Sequence, residues 1–536
     1  MLLSAGLGLP VLGVLGAWLA LDAGSLATLA HQWQTVLPAY AMQSGLLVLA
    51  VGVGVAVLGG ATAAAVTLFE FPGRRHFEWA LLLPLALPAY VLAYAGTDAL
   101  QFSGPLQTAL REWTGSSRPF WPDVRSLWGA VILFVISLYP YVYLLARTAL
   151  GVQAAPMMEA ARMLGAPLKR RILEVALPMA RPALAAGVAL ALMETLADYG
   201  VGAYFGLSTF TTGIYKAWLV LDDRIAAAQL ASMLLLLVGL LLWAEQRAQS
   251  RLRFASARPA AVGAVEARPV ALRGAGLLGA WLVCGLPVLA GFVLPVVWLL
   301  RLLWQEAQAS DTPVFVPEYL ARFADWAWVS FKLASLAGVL AVGFALLLAF
   351  AMRRAQGRKA WGLRAAARII SLGYAVPGAV VAVGILLWAG LLQQWLPQWG
   401  VPMLVTGTVF GLMYAYLVRF SSVALQSVQA GYAAIAPSVD ESAQLLGAGA
   451  PRTFFSLHLP LLARSSVAAA LLVFVDTMKE LPATLVLRPF GSDTLAVVAY
   501  QFARDERLAE AALPSLAIVA VGLIPVVMLS RALRSR

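Results

Sequence analysis

EAARMLGAPLKRRILEVALP, residues 159–178, and ESAQLLGAGAPRTFFSLHLP, residues 441–460, are two copies of one segment set 282 positions apart. The same offset carries Glu194 and Thr195 onto Asp476 and Thr477, Asp198 onto Glu480, and Thr212 onto Thr494, with no gap needed in between. The chain is therefore an internal repeat, and the repeat unit exceeds 200 residues. Within each copy a proline (Pro156, Pro437) stands where a first helical turn tolerates it, and an acid (Glu159, Glu441) follows near the positive end of the helix dipole. Small residues (Ala160 and Ala161; Ser442 and Ala443) thin one face, and Gly165 or Gly447 ends the helix. A short helix with a small face and one carboxylate suits a close fit into the groove of another protein.

The sequence outside these copies is dominated by membrane. The 536 residues are 61% hydrophobic and 12% charged, with mean hydropathy +0.83, which excludes an ordinary soluble domain. Windows free of Asp, Glu, Lys and Arg run 1–21, 32–69, 79–97, 126–146, 225–244, 274–300, 333–352, 369–418 and 511–530. The window 369–418 is split at Gln393 to Pro402, whose prolines, amides and tryptophans mark an interfacial turn. Two further apolar stretches, 182–206 and 465–487, carry acids, and the expected total is twelve transmembrane helices. Residues 1–21 are taken as an uncleaved first span, because the repeat requires it. Residues 245–273 hold six arginines, two prolines and no apolar face, so they are expected to be a flexible cytoplasmic linker between a first half, 1–244, and a second, 274–536. Six spans per half return the chain to the side it left, which makes the repeats parallel.

Charge orients the spans. With both termini cytoplasmic, roughly 26 of the 38 Lys and Arg fall in cytoplasmic segments, as short inside loops demand. The net charge of +12 is then a topology signal, and no nucleic-acid partner is expected. Cys284 alone cannot form a disulfide framework, and His31, His76 and His458 are scattered, so no metal site is expected. No G-x-x-x-x-G-K-[ST] occurs, so the chain lacks a phosphate-cradling loop.

Four acids lie inside apolar stretches: Glu194 and Asp198, Asp476 and Glu480. Each pair is four residues apart and would share one helix face. An ionised carboxylate at mid-bilayer costs about 2.5–3.5 kcal/mol, which excludes lipid as its neighbour. Two readings stand side by side: a structural one, in which the acids pair with Lys479 or an arginine or already lie at the outer mouth of the span, and the lining of a cation route. Tyr90, Tyr94, Tyr199 and Tyr204 stand between the same two options, as interfacial aromatics or as ligands.

The paired loops resemble the EAA loop of membrane subunits of binding-protein-dependent ABC importers: Glu-Ala-Ala, Gly six residues on, an apolar residue (Val175, Leu457), then Leu-Pro. The second copy departs from the pattern at Ser442. The stretches from Met193 to Gly200, from Leu87 to Tyr94, and Lys479-Glu480-Leu481-Pro482-Ala483-Thr484 resemble the fused iron(III) importer permeases. The resemblance implies an all-α membrane protein of the type I importer class in the bacterial inner membrane. It implies a translocation pathway for ferric iron delivered by a periplasmic binding protein. It implies also that Glu159, Ala160, Ala161, Gly165, Glu441, Ser442, Ala443 and Gly447 dock a separate, dimeric ATP-binding cassette subunit, which uses ATP while this chain binds no cofactor and performs no catalysis. Relatives for thiamine, phosphonates or polyamines share the scaffold and remain the alternative cargoes. An ion-gradient-driven secondary transporter is the rival class, and it has no use for paired docking helices.

Overall fold

A computed structural model describes residues 2–16, 18, 23–256, 269–308, 316–355 and 357–534. The principal helices are α1 (Leu2–Gly16), α2 (Leu37–Leu68), α3 (Ala89–Leu100), α4 (Leu127–Ala149), α5 (Ala155–Met163), α6 (Leu177–Ala197), α7 (Arg224–Ser256), α8 (Leu294–Gln308), α9 (Pro317–Arg354), α10 (Gly378–Trp395), α11 (Val409–Ala433), α12 (Pro437–Leu445), α13 (Ala463–Lys479) and α14 (Leu508–Arg534). In a bilayer every backbone group must be satisfied within the segment, which is why apolar sequence folds here as helix. Among the described residues nine helices are long and apolar enough to cross a membrane, or eleven if each of two bent pairs is one span. The window at 1–21 appears as the shorter helix α1. The described residues thus form a predominantly helical, multi-pass membrane protein.

Several positions related by the sequence repeat share local geometry. Ser126 and Thr408 are extended N-caps of α4 and α11, and each side-chain oxygen accepts a backbone N–H of the following turn. Pro88 and Pro377 precede α3 and α10 with nearly the same dihedrals, φ −58°, ψ 142° and φ −57°, ψ 141°. Helices α5 and α12 are each followed, after a short intervening helix, by a π-helical turn, Ile172–Ala176 or Phe454–His458.

Two expected spans are not straight. The window 79–97 breaks at Pro88, and the flanking helices Arg74–Ala86 and Ala89–Thr114 meet at 91°. Proline at 88 removes a donor and bars the preceding residue from helical geometry, which accounts for the break. The span expected at 465–487 is likewise bent, by 72°, against Ala450–Leu461. The charge-free window that closes at residue 418 also misplaces a boundary: α11 runs on to Ala433, because Arg419 is buried inside it and is not a loop cation. The turn at Gln393 to Pro402 is where the sequence puts it, between α10 and the short helix Val401–Thr406. At the start of the linker, α7 continues through Ser256 instead of ending at 244, since Ala, Gln and Arg are good helix formers. Residues 257–268 lie outside the described residues, and Val270–Ala271 pairs in parallel with Phe69–Glu70.

The chain packs as two compact units that cut across the sequence halves. One comprises Gln32–Gly213, Met233–Val314 and Ala499–Arg536, so it joins α2 to α6 with α8 and α14. Inside it α2 and α6 both approach α4 closely at Val142: a Cβ on Gly59 would meet the Val142 Cβ at 2.6 Å, and one on Gly187 the Val142 Cα at 2.6 Å. Small residues at such crossings let helices pack where the apolar effect cannot drive association. The Trp298 indole of α8 donates to Asp98 Oδ2 at 2.9 Å. The other unit comprises Met1–His31, Ile214–Ser232 and Phe315–Val498. There α1 lies on α10 and α11: Trp388 Nε1 donates to the Leu9 carbonyl at 2.5 Å, and the Tyr414 hydroxyl donates to the Gly6 carbonyl. Each unit therefore takes its outermost apolar helices from both halves of the sequence.

Candidate functional site

The two EAA-like segments fold alike. α5 and α12 each end in a left-handed glycine, Gly165 (φ +78°) and Gly447 (φ +74°), a conformation that a side chain at that position would strain. The Gly165 N–H donates to the Arg162 carbonyl at 2.9 Å and Ala166 N–H to the Ala161 carbonyl at 3.0 Å; the second copy repeats this with Gly447 to Gln444 at 2.9 Å and Ala448 to Ala443 at 2.9 Å. This Schellman closure projects the residues before the glycine outward. Met163 and Leu164 are 82% and 88% exposed, and Leu445 and Leu446 are 89% and 86% exposed. These four apolar side chains are absent from the sequence-derived site, although two large apolar residues ahead of a helix-ending glycine were legible as its signature. Ala160, Gly165, Glu441, Ser442 and Gly447 are exposed, while Ala161 and Ala443 are half-buried. Glu159 is half-buried and lies 3.5 Å from Arg162 of its own helix.

What holds the two helices differs. Met158 of α5 sits in an apolar cluster with Leu150, Ala154, Ala176 and Phe71. In the second copy Asp440 stands where Met158 does. Arg353 Nε donates to its Oδ2 at 2.7 Å, and His458 Nε2 stands 2.8 Å from its Oδ1. Arg353 also donates to the carbonyls of Tyr432, Ile435 and Ala436, while the Tyr432 hydroxyl meets His458 Nδ1 at 3.2 Å. Helix α5 is seated by packing, and α12 by a half-buried ionic clamp that joins α9, α11 and the π-turn.

The four acids do not form the helical pairs expected. α6 ends at Ala197 and α13 at Lys479, and both Asp198 (ψ 131°) and Glu480 (ψ 120°) are extended C-cap residues at a break. The expectation of one shared face fails because the helix stops between the members of each pair. Both carboxylates instead cap the next turn: Asp198 Oδ1 accepts from Val201 N–H at 2.8 Å, and Glu480 accepts from Ala483 and Thr484 N–H at 2.8 and 2.9 Å. Glu480 is also bonded to the Thr484 hydroxyl and to Arg419 Nη1 at 2.9 Å, with its side chain 1% exposed. For Glu480 the structural alternative is the observed one. Glu194 and Asp476 remain on their helices, half-buried, and Asp476 and Lys479 are both engaged by neighbours.

Asp198 has different company. It adjoins Tyr199 in the chain and lies within electrostatic reach of Tyr94, which belongs with Tyr90, Tyr204 and Tyr500 to a set of tyrosines in one unit. Ring centroids are 5.8 Å apart for Tyr90 and Tyr94, 4.8 Å for Tyr94 and Tyr204, and 5.7 Å for Tyr199 and Tyr500. The tyrosines singled out in the sequence are therefore a cluster and not a belt, and Tyr500 was missed because it is some 300 residues away from Tyr199 in the chain.

Comparison with known proteins decides the class to which this geometry belongs. Residues 56–254 match the family described as "Binding-protein-dependent transport system inner membrane component". Along 492 residues, 91% of this chain and 88% of the relative, the sequence is 24% identical to the Fe(3+)-transport system permease protein FbpB 2 of Haemophilus influenzae. The chain is thus similar to permeases of this transport class, through the family match in one part and the ferric relative along most of its length. The permease is also 24% identical to the ferric transport system permease protein FbpB of Actinobacillus pleuropneumoniae, over 79% of this chain and 61% of the relative. A shorter similarity, 30% identity over 25% of the chain and 57% of the relative, links the permease to the molybdenum transport system permease protein ModB of Escherichia coli.

Proposed function

We propose that this permease forms the inner-membrane translocation pathway for ferric iron, receiving it from a periplasmic binding protein and driven by a dimeric ATP-binding cassette subunit. The observation that carries the cargo is the similarity to a ferric permease along nearly the whole chain, whereas the molybdenum and phosphonate relatives align over about a third of it or less. The twelve expected spans form two parallel six-helix repeats, with both termini and the linker cytoplasmic. The docking helices α5 and α12 then face the cytoplasm with their exposed apolar tips. Met163, Leu164, Leu445 and Leu446 fill pockets of the ATPase subunit, Glu159 and Glu441 pair with its cations, and Ala160, Ala161, Ser442 and Ala443 supply the narrow face that fits its groove. ATP is bound and hydrolysed only by the partner. Glu194 and Asp476, half-buried on the helices that follow the docking segments, line the route, and Asp198 and Glu480 shape the break beyond them.

Deleting the permease from its host and restoring it on a plasmid tests the cargo. Growth with ferric citrate as sole iron source is expected to require the permease, while growth limited for molybdate or aminoethylphosphonate is expected to be indifferent to it. The reverse pattern overturns the iron assignment.

A further inference from the structure

Tyr94 is 2% exposed, and among the described residues its hydroxyl finds no hydrogen-bond partner. Leaving a buried hydroxyl unpaired costs about 1–3 kcal/mol, so its persistence calls for a use. That hydroxyl lies within electrostatic reach of the Tyr90, Tyr204 and Tyr500 hydroxyls and of the Asp198 carboxylate. The Tyr500 and Tyr199 hydroxyls are 3.3 Å apart. Arg125 donates to the Tyr204 hydroxyl at 3.4 Å with its guanidinium 4.9 Å from the ring centre, and its charge is balanced by Glu506 at 3.3 Å. Asp98, one turn beyond Tyr94, is occupied by the Trp298 indole. The polar groups packed on the cluster are thus five phenols, the Asp198 carboxylate with Glu194 nearby, Thr97 and Asp98 beside Tyr204, Arg504 near Tyr500, and Arg125 paired with Glu506.

The other half of the repeat lacks this arrangement. Counting from the equivalent prolines, Ala379 and Val383 take the places of Tyr90 and Tyr94; counting from the equivalent acids, Leu481 and Val486 take those of Tyr199 and Tyr204. Arg419, which neutralises Glu480, corresponds to Ser137. The fold uses an acid at both helix breaks, yet among the described residues Glu480 is paired with an arginine and has Tyr416 near it, whereas Asp198 adjoins the larger set of tyrosines. Architecture alone explains the acids and not the phenols.

We propose that Asp198 with Tyr94, Tyr199, Tyr204 and Tyr500 is a transient oxygen-donor site for ferric ion on its way through the permease. The proposal rests on iron as the cargo. A small trivalent cation is a hard acid and takes anionic oxygen donors, as hard cations do in general. Each phenol that ligates exchanges its O–H bond for an O–Fe bond and releases one proton to solvent, and the iron stays ferric throughout. The span Leu168–Ala197 separates the cluster from the docking loop by 30 residues, about 45 Å of helix, so the site lies toward the end of the route away from the ATPase. A transported ion must bind well enough to enter and weakly enough to leave. A cluster in which Asp198 already accepts a backbone N–H and Tyr199 and Tyr500 bond each other meets that need, because ligation competes with bonds already made.

Purified full-length permease titrated with ferric nitrilotriacetate provides the test, read by the visible phenolate-to-iron charge-transfer band and by proton release into weakly buffered solution. Wild type is expected to show both. Tyr94→Phe combined with Tyr204→Phe is expected to weaken apparent affinity about tenfold or more, while Tyr416→Phe, a buried tyrosine of the other half, leaves it unchanged. If the first pair does not yield monodisperse protein, Tyr199→Phe with Tyr500→Phe replaces it. No band in wild type, or a band indifferent to these changes, overturns the site. Ferric-dependent growth without a band overturns the site and leaves iron as cargo, whereas loss of both overturns the cargo as well.

Discussion

Replacing Arg419 by Met strands the Glu480 carboxylate, and the structure sets the scale of the damage. The pair is 2.9 Å apart, with side chains 10% and 1% exposed. At an effective dielectric of about 20, two unit charges at that distance attract by about 6 kcal/mol. Most of this offsets the desolvation of both ions, so the pair as a whole adds little. Removing one partner is different, because the remaining charge keeps its desolvation cost and loses its compensation, at about 3–5 kcal/mol. Glu480 retains the Ala483 and Thr484 N–H groups and the Thr484 hydroxyl, which argues for the lower end of that range. Glu480→Gln should cost a similar amount, since Arg419 is then buried alone. The double variant should be less damaged than the sum of the singles by about 2–3 kcal/mol, the coupling expected of groups in direct contact. The assay is the fraction of monodisperse protein that survives a temperature series in detergent, measured for all four members of the cycle. Additive losses, or single variants as stable as wild type, refute the claim that this acid and arginine neutralise one another.

Leu164→Asp with Leu446→Asp leaves the membrane helices untouched but places charge at the exposed tips. ATPase copurification should fall by an order of magnitude or more, and equal recovery would remove these residues from the interface. Asp440→Asn should loosen the second docking helix by about 1–3 kcal/mol while the apolar seat of the first is unaffected; limited proteolysis between residues 433 and 450 reads this, and unchanged cleavage counts against the clamp. Glu194→Gln with Asp476→Asn should slow iron uptake with the complex assembled and stable, and normal uptake would give those acids a structural role too.

The transmembrane segments were readable because a bilayer tolerates so few charges that their absence marks a helix. The short helices of the paired loops were readable because glycine, proline and small residues occupy positions where backbone geometry leaves few substitutes. The rest depended on contacts that one dimension does not encode. Nothing in residues 1–21 says that α1 packs on α10 and α11, or that α14 packs with helices of the first half. Spacing of four residues implies a shared face only while the helix lasts, and both helices stop just before Asp198 and Glu480. Arg419 looked like the end of a span because its counterion is 61 residues away in the chain. The tyrosines were legible one by one, and their convergence was not, since Tyr500 comes from the far end of the sequence.

The measurement closest to the central claim is uptake of radiolabelled ferric iron into proteoliposomes holding the permease with its ATPase subunit and binding protein, with wild type set against Glu159→Lys combined with Glu441→Lys. ATP-dependent accumulation by wild type, and its loss in a variant that still inserts, is the predicted result. Accumulation without ATP, or undiminished by the charge reversals, would contradict coupling through these two loops.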